Sequence, residues 1–106
     1  MSTLELWAAA KIDSAGAQVN GFKVTSTSRP SAGVFNMVLE NALDTTEIAC
    51  TITPSYVFGA LLPPKVVYAY SLDPADFKTV EIRVFGLGGL VTDTDFDVVV
   101  HRFTPG

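Results

Sequence analysis

Cysteine, histidine and tryptophan each occur once in these 106 residues, and that scarcity removes several classes of chemistry. A single thiol, Cys50, can form neither an intrachain disulfide nor a multi-cysteine metal site. It lies in Ile48-Ala49-Cys50-Thr51-Ile52, where a small apolar residue is expected and a nucleophile is not. His101 has no second histidine to share a metal and no motif-placed nucleophile beside it, so it reads as a strand residue. Positive charge is short: 7 Lys and Arg against 11 Asp and Glu leave a net −4, which argues against a nucleic-acid partner. Charge of either sign is short as well, at 17% of residues, where about 25% is usual. No apolar run approaches the roughly 20 residues that span a bilayer, so membrane insertion is not expected. Met1-Ser2-Thr3-Leu4-Glu5 carries no basic region and no apolar stretch of signal-peptide length, so folding in a cytosol is expected.

What is present is apolar surface, with 48% of residues hydrophobic. A chain of this length buries roughly 60–70% of its unfolded surface, enough for one thin core and one domain over residues 1–106. So little charge then implies a buried subunit interface and a Ser/Thr/Asn-rich exterior. The apolar residues alternate with polar ones: Phe35, Met37 and Leu39 share one face, as do Ile48, Cys50 and Ile52, and Val80, Ile82 and Val84. Period 2 predicts half-buried strands. Strands are predicted over 4–12, 21–28, 33–40, 46–54, 65–72, 77–85 and 96–103. Turn formers separate them: Asp13–Gly16, Arg29–Gly33, Asn41–Thr45, Asp73–Asp76 and Gly86–Asp95. Seven to eight short strands spaced this way predict an all-β, antiparallel, jelly-roll-like β-sandwich with a short N-terminal segment.

Ser55–Leu62 holds the apolar cluster Tyr56, Val57, Phe58, Leu61 and Leu62 beside Pro63-Pro64. It reads either as a short buried strand or as a loop packed on a neighbouring subunit, and so apolar a loop favours the second. Trp7, Tyr56, Phe58, Leu61 and Leu62 are therefore the candidate oligomer interface, and Tyr68 and Tyr70 candidate glycan contacts. Gly86-Leu87-Gly88-Gly89 has a faint likeness to a phosphate loop, but Leu90-Val91-Thr92 leads into another strand and a plain turn is expected. Asp93, Asp95 and Asp97 are spaced like the opening of a calcium loop. An EF-hand needs Gly and Glu where Val98 and Thr104 stand, which excludes it and leaves these carboxylates only weak metal candidates. Carboxylate pairs drawn from Asp73, Asp76, Asp93, Asp95 and Asp97 would need a cleft for glycoside hydrolysis, and so small a sandwich offers little room for one. No catalytic constellation and no cofactor motif is present, and a non-enzymatic protein is expected.

Four stretches carry a likeness to a known group. Leu6-Trp7-Ala8-Ala9-Ala10-Lys11-Ile12 followed by Asp13–Gly16 is similar to an opening aromatic strand and glycine turn. Phe22-Lys23-Val24-Thr25-Ser26-Thr27-Ser28, a Pro/Gly turn, then Gly33-Val34-Phe35-Asn36-Met37-Val38-Leu39 looks like the hairpin that follows. Asn41–Thr51 matches a short loop before a strand, with Glu47-Ile48 where an aromatic is usual. Thr79–Phe85, a glycine-rich turn and Asp95-Phe96-Asp97-Val98-Val99-Val100 resemble the closing hairpin. Together they resemble the small β-sandwich domains that end bacteriophage tail fibres, with stand-alone relatives among virion fibres and head proteins. The resemblance implies a homotrimeric, non-enzymatic virion protein, folded in the host cytoplasm: a head fibre, capsid decoration or fibre tip. Other virion proteins, and a host surface glycan reached through variable loops, would be its partners. With no shaft or coiled coil in these residues, a small protein attached to a capsid or tail is expected. The rival from another class is a bacterial carbohydrate-binding or adhesion module.

Overall fold

Alternation in sequence becomes burial in space. Along Val34–Leu39 the residues Phe35, Met37 and Leu39 are buried, while Val34, Asn36 and Val38 are half-exposed. The computed structural model describes residues 2–44, 48–55, 59 and 65–105. Its strands are β1 (Ser2–Ile12), β2 (Gln18–Phe22), β3 (Val24–Ser31), β4 (Val34–Leu39), β5 (Ile48–Pro54), β6 (Val67–Leu72), β7 (Thr79–Phe85) and β8 (Phe96–Pro105), with a 3-10 turn at Leu87–Gly89. They form two antiparallel four-stranded sheets, an all-β sandwich: sheet A in the order β2-β1-β8-β5, sheet B in the order β3-β4-β7-β6. Three hairpins, β1–β2, β3–β4 and β6–β7, stay within a sheet, and the chain changes sheets at each of the other four connections.

The core lies between the sheets. Ala8, Ala10, Ile12, Phe96, Val98 and Val100 from sheet A meet Phe35, Met37, Leu39, Val80, Ile82 and Val84 from sheet B. Phe35 and Phe96 meet edge to face, with centroids 5.1 Å apart; such a pair contributes about 0.5–1.5 kcal/mol beyond the area it buries. Each large core side chain adds about 1.5–3 kcal/mol by leaving water. Among the described residues no helix is long and apolar enough to cross a membrane.

Most strand ends shift by about two residues from the expected ranges, and two departures change the topology or a turn. The expected strand over 21–28 is two strands on different sheets, parted at Lys23, which takes φ 57°. Its carbonyl accepts a bond from the Glu40 amide at 3.0 Å, a contact that helps hold this non-glycine residue in a left-handed conformation. The expected turn Arg29–Gly33 is also shorter, because β3 continues through Pro30 to Ser31. Proline fits there because β3 is an edge strand and need not donate outward. The turn closes on Ala32 and Gly33 instead. Gly33 has φ +71°, and a Cβ on it would meet Val91 Cβ at 2.8 Å and the Val84 carbonyl oxygen at 3.0 Å. Only glycine suits both conditions.

A bulge in β1 decides what the outside of sheet A looks like. Leu6 pairs with His101 but Ala8 pairs with Val100, so Trp7 is an extra residue against β8. One inserted residue moves everything before it to the opposite face. Ala8, Ala10 and Ile12 point into the core, while Leu4 and Leu6, of the same parity in sequence, are exposed.

Candidate functional site

The three spaced aspartates lie at the end of the sandwich where β3 turns into β4 and the chain enters β8, and each is bonded to a different element. Asp93 takes a bidentate pair from Arg29, Nε to Oδ1 at 2.9 Å and Nη2 to Oδ2 at 2.6 Å, and its Oδ1 also accepts the Gly33 amide at 2.8 Å. Asp95 accepts the Ser14 amide at 2.7 Å. Asp97 pairs with Lys11 at 2.7 Å across the β1–β8 ladder. These bonds turn the carboxylates away from a common centre, and no cluster of three His, Cys, Asp or Glu suited to a metal occurs among the described residues. The Arg29 guanidinium holds the Asp93 carboxyl below its ordinary range, and the Gly33 amide adds to this. Asp76 is lowered by the amides of Lys78 and Thr79 and by the Thr79 hydroxyl. It orders the turn into β7, as Asp13 orders the first turn by accepting the Ala15 and Ala17 amides. The glycine-rich segment after β7 is a turn, as its sequence suggests, with Leu87 and Leu90 exposed.

The tyrosines assigned to glycan contact stand on the inward face of β6, opposite Val84 and Ile82. Tyr68 is half-buried against Phe96, with ring centroids 5.6 Å apart, and its hydroxyl bonds Thr94 Oγ1 at 3.1 Å. Burial pushes its pKa up. The Tyr70 hydroxyl donates to the Ile48 carbonyl at 3.5 Å, so it bridges the two sheets at their β5–β6 edge while the residue keeps 41% of its surface in water. Cys50 faces the interior of sheet A, and burial pushes its thiol up to about 12, so it remains a neutral apolar group. His101 lies on the outer face of sheet A between Leu6 and Ala49.

Trp7, assigned to an oligomer interface, packs within its own chain. Its Nε1–H donates to the Asn41 carbonyl at 3.2 Å, and Arg102 lies 5.0 Å from the ring centroid. Arg102 also reaches Glu5 at 3.0 Å and Asp44 at 3.5 Å. This polar cluster sits on the inward side of the β1–β8 ribbon. The other interface candidates, Tyr56, Phe58, Leu61 and Leu62, lie outside the described residues.

One surface is marked in the sequence only by the alanines after Trp7 and the Val98–Val100 run, two of the places to which the apolar excess attaches. On the outer face of sheet A, Leu4 stands opposite Phe103, Leu6 opposite His101, and Ala9 between Val99 and Phe22. Val98-Val99-Val100 is apolar on both faces, as in strands covered on both sides. The Trp7 bulge, which places Leu4 and Leu6 there, leaves no mark in the sequence pattern. No family model matches the chain, and no curated protein or solved structure matches it either.

Proposed function

We propose that this chain is a non-enzymatic structural protein of a bacteriophage virion: an oligomeric, trimeric head fibre, capsid decoration or fibre tip that assembles in the host cytoplasm. One observation carries the reading. The side chains that the sequence offers for chemistry are engaged within the molecule: Asp93 by Arg29, Asp97 by Lys11, and Cys50 by burial. What the molecule presents outward is surface for assembly, including an apolar sheet face on a chain with few charges. The likeness of the four sequence stretches to fibre-end domains supports the same reading.

The test is location. Virus particles purified from an infected culture that makes this chain should contain it in near-stoichiometric amount by mass spectrometry, and labelled antibody should mark the particle surface in electron micrographs. Particles that lack the chain, with all of it left in the soluble fraction, would overturn the proposal. Binding to purified capsids without glycan preference assigns it to decoration; binding to host-surface glycan in preference to capsids assigns it to receptor contact.

A further inference from the structure

The outer face of sheet A carries an apolar patch beside the polar residues Lys11, Asp97, Thr53 and His101. Leu4, Leu6, Phe22 and Phe103 keep 55%, 52%, 47% and 41% of their surface in water. With each such residue taken at roughly 200 Å² in full, they expose about 400 Å² of mostly apolar area. Half-buried Ala9 and Val99 lie among them and join them into one patch. A stable interface covers about 800 Å² per partner, of which about 60% is apolar. Four side chains thus provide most of the apolar area that one subunit contributes to a standard interface.

The charge on this face points to the same occupant. The chain carries a net −4, but the ionisable residues on the outer face of sheet A are His101, opposite Leu6, and Lys11 and Asp97, already bonded to each other at 2.7 Å. A second copy of an acidic chain therefore meets no excess of like charge here. The amphipathicity of the projecting ribbon is also reversed from what a lone molecule requires. Its inward side carries Glu5, Arg102 and Thr104, and its outward side carries Leu4, Leu6 and Phe103. A solitary sandwich would gain solubility from the opposite arrangement.

We propose that the outer face of sheet A is the self-association surface, covered in the assembled protein by the same face of other copies of this chain. The inference rests on the oligomeric reading above and names the surface that reading requires. In a trimer the same face of three copies converges on the threefold axis.

Sedimentation velocity on the full chain tests it. The wild type should sediment above the monomer mass at micromolar concentration. Leu6→Glu and Phe103→Glu should each weaken association at least tenfold, and together leave only monomer. Ser71→Lys on the outer face of sheet B and Leu90→Glu on the glycine-rich turn should leave the wild-type mass unchanged. All variants should keep the wild-type β-sheet circular dichroism and Trp7 emission, because each altered side chain is exposed. Should either glutamate prevent folding, Leu4→Gln reads the same face with the most exposed of the four residues. Retention of the wild-type mass by the Leu6 and Phe103 variants, or its loss in Leu90→Glu alone, overturns the assignment while leaving an oligomer in place. A wild type that is monomeric throughout overturns both the assignment and the oligomeric reading; presence on particles is measured separately and is unaffected by either result.

Discussion

The two sheets are alike on the inside and unlike on the outside. Towards the core each presents a set of buried apolar residues: Ile12, Phe96, Val98 and Val100 from sheet A, and Phe35, Met37, Ile82 and Val84 from sheet B. Outside, sheet B shows Ser26, Ser28, Asn36, Ser71, Thr79 and a Glu81–Arg83 pair, with Val34, Val38 and Phe85 half-buried among them and Val67 exposed at the β6 edge. Sheet A shows Leu4, Leu6, Ala9, Phe22, Val99 and Phe103, with Lys11, Asp97, Thr53 and His101 beside them. Folding requires only the inner faces, so their likeness follows from the common core. The outer faces are free to differ, and their difference carries the information about partners. From Thr79 to Val84 β7 alternates between polar surface and core, whereas β8 is apolar on both sides across Val98–Val100. A strand with that pattern is suited to cover on both faces.

In the interior the two sheets should respond equally. Ile12→Ala in sheet A and Met37→Ala in sheet B should each cost about 2–5 kcal/mol in urea unfolding. A loss below about 1 kcal/mol for one of them would mean that its sheet does not share the core as described.

Next come the ties between sheets. Gly33 closes the β3–β4 hairpin of sheet B against Val91, on the segment leading to β8 of sheet A. Gly33→Ala should cost about 2–4 kcal/mol, through backbone strain together with steric overlap. Gly88→Ala, also left-handed at φ +81° but with no atom near its Cβ, should cost about 1 kcal/mol. Equal thermal shifts for the two would show that the Gly33 contact contributes nothing.

A smaller tie is Arg29–Asp93, which fastens the edge of sheet B to the same segment. Asp93→Asn should cost about 1 kcal/mol. Because Arg29 and the Gly33 amide lower the folded pKa of Asp93, its contribution is fully present above the unfolded carboxylate value of about 3.9. It is lost as the pH falls through the lowered folded value. Wild type and Asp93→Asn should therefore differ in stability at pH 7 and converge in strong acid; a difference independent of pH would contradict the ion-pair account. The smallest effect belongs to the outer faces themselves. Leu4→Gln and Ser71→Lys should each change the stability of the isolated monomer by no more than about 0.5 kcal/mol, measured below any association threshold. A larger loss for Leu4→Gln in the monomer would show that this side chain belongs to its own subunit's packing.

Much of the fold was legible because it depends on local alternation. Phe35, Met37 and Leu39 are one face of a strand wherever that strand lies, and Val80, Ile82 and Val84 repeat the pattern. Of the candidate sites less was legible, for identifiable reasons. Asp93, Asp95 and Asp97 look like one cluster because they are two apart, yet Arg29, Ser14 and Lys11 reach them from separate parts of the chain. Tyr68 and Tyr70 look like surface aromatics in a strand of mixed polarity, yet β6 turns both toward the sheet interface because it lies at the edge nearest β5. Trp7 looks like an anchor for a partner, yet Asn41 and Arg102 of its own chain hold it.

The sequence by itself determined that the chain is built of strands and which residues of most of them face the core, since side chains on a strand alternate whatever their neighbours are. Its low charge marked it as a molecule with surface to cover. Only the tertiary structure decided where that surface lies. Lys23 carries a continuous β-pattern from one sheet to the other, and the Trp7 bulge turns Leu4 and Leu6 from the expected core face to the outer one. Both are events of a single residue, set by pairing with strands distant in sequence, and a local period of two contains no record of either.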